Sequence, residues 1–271
     1  MLSDAEVLTE ARLLDAAELG RQQLRQTTSV HPAMTIDDAY RVQAAWRAIN
    51  EARGERVVGH KIGLTSMAMQ RVMNISTPDS GFLTDRMVIA PGAELSAATF
   101  LDPMLEMELA FVLGDDLAGI DVTVDDVLDA TDHVVGAVEL IAARTYRRDP
   151  DTGRTRTIVD TIADNAADAG VVSGRTLVAP RGVDLRWVSG VARRNGVVEE
   201  SGVAAAVLEH PANGVAWLAR RYAEQGLALA AGDLVLAGSF TRPLTVAAGD
   251  SFHFEWRFAD SIHDSFPLHF A

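Results

Sequence analysis

The segment Leu105–Leu113 reads LEMELAFVL, with bulky apolar residues on alternate positions and two glutamates, Glu106 and Glu108, between them. Side chains at i and i+2 of a strand share a face. Two carboxylates therefore stand side by side, next to residues that belong in a core. Burying one unpaired carboxylate is costly, and two on one face repel each other. A divalent cation resolves both problems, and carboxylate oxygens suit hard ions such as Mg2+, Mn2+ or Ca2+. The plain alternative is a strand whose second face meets water. A third acid, Glu139, stands alone in the apolar run VVGAVELIA. A helix-like segment joins the two runs, so all three acids can meet, and an all-oxygen metal site then explains them better than three separate accidents. His133, nearby, reads as structural.

Other residues could serve such a site. Lys61, in GHKIGLTS, is a lysine inside an apolar run bounded by glycines. It needs an anionic partner or a functional reason, unless it lies on an edge strand and reaches water. Asp79 and Ser80 fall in TPDSGFL, which reads as a turn. Asp160, Asp164 and Asn165 in VDTIADNA either cap a helix or serve the site. The segment LAGSFTRP (236–243) ends a strand with small residues and hydroxyls, and suits close approach of a substrate to backbone or a plain loop equally.

The elements that must position these residues fall into two textures. Over residues 3–26, Val7, Leu8, Ala11, Leu14 and Leu24 have helical spacing. A second helix opens at Thr35, with Asp38 as its capping-box partner, and can end at Gly54. From about residue 56 the chain breaks into short apolar runs punctuated by Gly, Pro and Asp, which read as strands. Asn195-Gly196 signals a hairpin. Helices at about 123–131 and 213–225 interrupt the strands without regular alternation, favouring α+β with a largely antiparallel or mixed sheet.

Composition narrows the class. The 271 residues are 48% hydrophobic, enough for a sizeable core. Asp and Glu number 38 against 24 Lys and Arg, a net charge of −14, which argues against binding nucleic acid or anionic membranes. There is no cysteine, which excludes disulfides, thiolate zinc and a cysteine nucleophile. Dinucleotide, P-loop, zincin and nucleophile-elbow motifs are all missing. Neither a signal peptide nor a membrane span is recognisable, so a soluble cytoplasmic protein is expected. In this acidic chain, RTYRRDPDTGRTRT (144–157) gathers five arginines into one loop.

In order along the chain, GHKIGLTS, PDSGFLTD, LEMELAFVLG, AVELIAAR, DTIADNAADAG, HPANGVAWLA and GDLVLAGSFTRP resemble the 2-keto-4-pentenoate hydratases of the fumarylacetoacetate hydrolase superfamily. The resemblance runs from about Thr35 to about Asp250. The Arg-rich loop, RNGVVEESGVAAAVLEHPANG and GSFTRP are most similar to the branch acting on 2-oxo-hept-4-ene-1,7-dioate in homoprotocatechuate degradation. The ending ADSIHDSFPLHFA departs from the family's usual short final strand.

The resemblance implies an α+β fold: a mixed, highly curved β-roll (58–271) behind a helical N-terminal region (1–57). It implies Glu106, Glu108 and Glu139 as ligands of Mg2+ or Mn2+, Lys61 beside the metal and Asp79 at the same pocket. Substrate contacts are expected from Leu64, Ser80, Asp160, Thr161, Ser239, Thr241 and Arg242. The implied substrate is a small 2-oxo acid, and the implied assembly a homo-oligomer, rings being known among related hydratases. The implied reaction hydrates a 2-hydroxy-2,4-dienoate, with a proton added at C5 and water at C4. Lys61 is the first candidate for proton transfer, as charged anchor or as base, and Asp79 the second. A dicarboxylate substrate would need a cation at its far end, from Arg242 or the Arg144–Arg156 loop. The rivals are a 4-oxalocrotonate-type decarboxylase, a C–C bond hydrolase, whose water-activating His/Glu pair is not identifiable, and a non-catalytic metal-binding scaffold.

Overall fold

The computed structural model describes residues 1–66, 70, 75 and 77–271. The chain begins with α1 (Asp4–Gly20), closed at its start by a reciprocal capping box between Ser3 and Glu6. The helix expected over 3–26 stops early, because Arg21 turns left-handed (φ 52°) and the chain then runs extended, with Leu24 bridging to Thr145. After the short α2 (Thr27–Val30), α3 (Ile36–Ala52) starts at the expected Thr35–Asp38 capping box. Val7, Ala11 and Leu14 pack on Ala39, Val42 and Trp46, and the same apolar cluster takes in Ile162 and Ala163 of α5 (Ile158–Ala163). The N-terminal helices are thereby fixed on a helix that precedes a site strand.

The β structure forms two sheets. The larger contains β1 (Val57–Gly63), β2 (Asp79–Thr84), β3 (Val88–Ile89), β5 (Met104–Leu113), β6 (Thr131–Ile141), β7 (Asp168–Ser173) and β10 (Leu234–Leu236), in the order β2-β1-β10-β5-β6-β7-β3. β11 (Leu244–Thr245) also pairs with β5. The sheet is mixed: β1–β10 and β3–β7 are parallel and the other pairs antiparallel. It is curled into a half-barrel. The second sheet runs β4-β13-β12-β8-β9, from β4 (Glu94–Leu95), β8 (Ser189–Arg194), β9 (Val197–Val203), β12 (Ser251–Ala259) and β13 (Ile262–Phe270). Asn195 and Gly196, both with positive φ, make the expected hairpin between β8 and β9. The divergent C-terminal segment is β13, whose Phe266, Leu268 and Phe270 face the core.

Alternation along β5 divides its residues between two environments. Leu105, Met107, Leu109, Phe111 and Leu113 enter the main core with Phe252, Phe254 and Trp256 of β12. The even positions, Glu106, Glu108 and Ala110, face the other way, where Phe82, Leu83, Ala137, Val171 and Leu236 form a smaller apolar cluster. The helix expected between the site strands is α4 (Val124–Ala130), with Thr123 as N-cap, and α6 (Ala212–Ala223) covers the segment expected over 213–225.

A second expectation is also corrected. TPDSGFL reads as a turn, yet Asp79–Thr84 is a strand buried at all six positions. Its Asp, Ser and Gly favour turns in isolation, but here antiparallel pairing with β1 satisfies the backbone. Gly81 is required there, because a Cβ would lie 2.6 Å from the Asn165 carbonyl oxygen. Among the described residues no helix is long and apolar enough to cross a membrane.

Candidate metal centre

Cross-strand register brings the three glutamates together. Glu106 pairs with Glu139 and Glu108 with Ala137, so the three side chains share one face of β5 and β6. One oxygen from each lies within 4.8 Å of the others. Glu108 and Glu139 are fully buried. The Gly238 N–H donates to Glu108 Oε2 at 2.8 Å, whereas Glu108 Oε1 has no hydrogen-bond partner among the described residues. Both Glu139 oxygens also lack one, although Lys61 Nζ makes an ion pair with Oε1 at 3.2 Å. Burial, and then the charge of Glu139, pushes Glu106 up to about 7. Burial and the neighbouring acids hold Glu108 well above the usual carboxylate range, and burial raises Glu139. Buried carboxylate oxygens without donors, converging from two strands, are the donor set that a hard divalent cation requires.

Lys61 and Asp79 close the pocket from the β1–β2 side. Gly63 pairs with Asp79 and Lys61 with Gly81, so all four lie on one face. A Cβ on Gly63 would stand 2.2 Å from Asp79 Oδ1 and 3.1 Å from Lys61 Nζ, and both functional ends therefore occupy the space above a bare backbone. Burial opposes the charge of Lys61, but Glu139, Asp79 and Glu106 outweigh it and hold its pKa above the ordinary lysine value. Burial raises Asp79, against the pull of Lys61 and Arg156, and neither Asp79 oxygen has a hydrogen-bond partner among the described residues. Asn165 fixes the strand behind them: its Oδ1 accepts from the Phe82 N–H at 2.8 Å, and its Nδ2 donates to the Phe82 carbonyl at 2.9 Å. It does so from the first of three successive left-handed residues, Asn165, Ala166 and Ala167.

A model of the fumarylacetoacetate (FAA) hydrolase C-terminal family matches residues 54–261, a span that contains all five of these side chains. The chain belongs to the FAA hydrolase family. It is 49% identical over 252 residues to the 2-oxo-hept-4-ene-1,7-dioate hydratase of Escherichia coli, covering 93% of this chain and 94% of the relative. It is 38% identical over 254 residues to the 2-hydroxyhexa-2,4-dienoate hydratase of Comamonas testosteroni, covering 93% and 94%. Its fold superposes with TM-score 0.93 on the 4-oxalocrotonate decarboxylase of Pseudomonas putida G7, solved with magnesium and adipate, at 33% identity over 100% of this chain and 99% of that one.

The other residues of this FAA hydrolase family member divide by what their polar atoms already do. Leu64 sits left-handed (φ 57°) just after β1, and its carbonyl accepts from Gln70 Nε2 at 2.8 Å. The Ser80 carbonyl accepts from Gln43 Nε2 at 2.8 Å, and its hydroxyl lies 3.5 Å from the Tyr40 hydroxyl. Ser239 Oγ donates to the Met107 carbonyl, and Thr241 Oγ1 accepts from the Met107 N–H, which splints β5 between its two glutamates. Asp160 is buried and spends its oxygens on Thr28 and Thr157, while the Thr161 hydroxyl bonds the Thr157 carbonyl at 3.1 Å. Asp164 is the partner of buried Arg144 at 2.6 Å. Arg242 is 83% exposed and paired with Glu200 at 2.7 Å.

Asp168, at the start of β7, is absent from the sequence-based candidates. It is fully buried, neither carboxylate oxygen has a hydrogen-bond partner among the described residues, and burial together with the Glu139 charge holds its pKa well above normal. The available signal was the one that exposed Glu139: a lone acid at an apolar run, here DAGVVS.

Proposed function

We propose that the chain is a divalent-metal-dependent hydro-lyase that adds water to a 2-hydroxy-2,4-dienoate. The favoured substrate is 2-oxo-hept-4-ene-1,7-dioate, giving 4-hydroxy-2-oxoheptanedioate. The observation that carries this reading is the trio of converging, donor-poor carboxylates set against a buried, charged lysine and a second unpartnered acid. The named hydratases at 49% and 38% identity support the reaction type. Glu106, Glu108 and Glu139 would hold Mg2+ or Mn2+. When bound, such an ion supplies Lewis-acid polarisation of a 2-oxo acid.

The chain's own groups divide the remaining work. Lys61, kept protonated by the acids around it, holds the negative charge of the substrate's carboxylate or enolate oxygen; a protonated ammonium cannot act as base. Asp79, whose carboxyl is raised by burial and makes no hydrogen bond among the described residues, is the candidate for proton transfer. It would deliver the proton to C5, giving the 3-en-2-one. Water then bonds C4 and a proton returns to C3, so that one water is added overall. The reading also places the enzyme in the cytoplasm, in homoprotocatechuate degradation, as a homo-oligomer. Trp187, 68% exposed, is a suitable interface anchor.

The test is the loss of dienoate absorbance with purified protein and Mg2+. EDTA and Glu139→Gln should each abolish it, and full turnover after chelation would sink the metal assignment. The similarity to 4-oxalocrotonate decarboxylase in both sequence and fold sustains a second reading, release of CO2 from a 2-oxo-3-enedioate. Offering each substrate and measuring CO2 separates the two.

A further inference from the structure

The arginine-rich loop 144–157 is a stiff strap. Its two ends are tied by the Arg156 N–H donating to the Arg147 carbonyl at 3.0 Å, and Arg148 bridges to Thr155. Gln26 Nε2 donates to the carbonyls of Tyr146 and Arg154, each at 3.0 Å, and Leu24 exchanges backbone bonds with Arg144 and Tyr146. Three of the strap's arginines have evident partners. Arg144 is consumed by Asp164, Arg147 donates to the Asp102 carboxylate at 2.7 Å, and Arg154 bonds Thr28. Arg148 is exposed.

Arg156 is different. Its side chain is 12% exposed, and its Nη1 is buried and makes no hydrogen bond among the described residues. The nearest carboxylate, Asp164, is 3.8 Å away and already receives Arg144 Nε and the Arg144 and Thr145 N–H groups. The undescribed residues 67–69, 71–74 and 76 contain no acid that could compensate. The guanidinium lies within electrostatic reach of Asp79, whose charge it favours, while Arg147 beside it acts on Glu106. The residue after Asp164 is Asn165, which clamps Phe82 in the strand that begins at Asp79, so Arg156, 3.8 Å from Asp164, lies on the Asp79 side of the three glutamates and is held there by the hydrogen-bonded strap. A guanidinium whose carboxylate contact among the described residues is a 3.8 Å pair with an acid already committed elsewhere keeps donors for a bidentate anion.

We propose that Arg156 receives the second carboxylate of a dicarboxylic substrate and so sets the preference for diacids over monoacids. Arg242, solvent-exposed and held by Glu200, does not serve this end of the substrate. The inference rests on the reading that the 2-oxo acid end of the substrate lies at the three glutamates.

Two measurements test it. The first is the ratio of kcat/KM on the seven-carbon diacid to that on the five-carbon 2-hydroxypenta-2,4-dienoate. Arg156→Met should lower this ratio by about 100-fold, the scale of losing one charge-assisted pair, and Arg156→Lys should recover part of it. The second is calorimetric binding of adipate against hexanoate to the Mg2+-loaded protein, which needs no turnover; the preference for adipate should vanish in Arg156→Met. Thermal unfolding of each variant identifies any that fails to fold, and Arg156→Lys then carries the comparison. An unchanged ratio, or a ratio that collapses in Arg242→Ala instead, overturns the proposal. If wild-type protein hydrates neither acid yet prefers adipate through Arg156, the anion site stands and the hydratase reading falls. If it hydrates both and Arg156→Met keeps the ratio, the reverse holds.

Discussion

Stripping the cation should make this protein weaken as the pH rises, opposite to the acid lability that paired carboxylates usually confer. Glu106 is raised from 4.5 to about 7, and Glu108, Glu139 and Asp168 are raised with it. A carboxyl that binds its proton more tightly in the folded state stabilises the fold at low pH, and that stability is lost as the pH climbs from the unfolded pKa through the folded one. For Glu106 the window runs from 4.5 to about 7, and the disfavoured charge amounts to roughly 3 kcal/mol at most, less to the extent that its side chain meets solvent. At about 2–4 °C per kcal/mol for a chain of this size, Tm in EDTA should fall by up to about 10 °C between about pH 5 and about pH 8. Excess Mg2+ should restore Tm at the high end and do little at the low end, where protons compete for the same oxygens. Scanning calorimetry of wild type and Glu106→Gln, with EDTA and with Mg2+, reads this directly, and the variant's EDTA profile should be flatter. Chelated wild type that is equally stable at both ends, with no Mg2+ effect, would refute the idea that these carboxylates are mutually strained.

Three further outcomes follow from packing. Gly63→Ala puts a methyl 2.2 Å from Asp79 Oδ1, so kcat/KM should drop by about 100-fold while circular dichroism stays unchanged. Arg144→Leu leaves buried Asp164 with only the distant Arg156 at 3.8 Å and should cost about 3–5 kcal/mol in urea unfolding; a loss within experimental error would mean the pair is dispensable. Asn165→Ala strips the Phe82 N–H and carbonyl of their side-chain partners, which should lower stability by roughly 2–4 kcal/mol and raise amide exchange at Phe82.

The candidate metal centre was legible because it violates the rules of its surroundings. Glu106, Glu108 and Glu139 are acids in apolar strands, and only pairing partners or a ligand explain them. Helix starts were legible for a local reason, since Thr35–Asp38 and Thr123–Asp126 complete their capping boxes within one turn. β2 was hidden because its Asp, Ser and Gly have turn chemistry, and their strand conformation comes from β1, a tertiary effect. The left-handed run Asn165–Ala167 has no glycine to announce it. The five arginines of 144–157 are equivalent as letters. Which of them keeps a buried nitrogen without a hydrogen bond depends on Asp102 and Asp164, placed by the fold far from any sequence pattern.

The short strand β10 has a consequence for how the protein is made. Leu234–Leu236 is wedged between β1 and β5, pairing Gly59 with Leu234 and Leu236 with Ala110. The lysine wall and the glutamate wall thus have no direct ladder between them until the last sixth of the chain is available. During synthesis the β5–β6 hairpin can close early, exposing a cluster of repelling acids with no counter-charge. The parallel β1–β10 joint then waits on a loop closure spanning most of the molecule, the kind of non-local contact that slows folding. The lysine and glutamate walls are therefore joined only through this long-range pairing, and the pocket is complete only when β10 is in place.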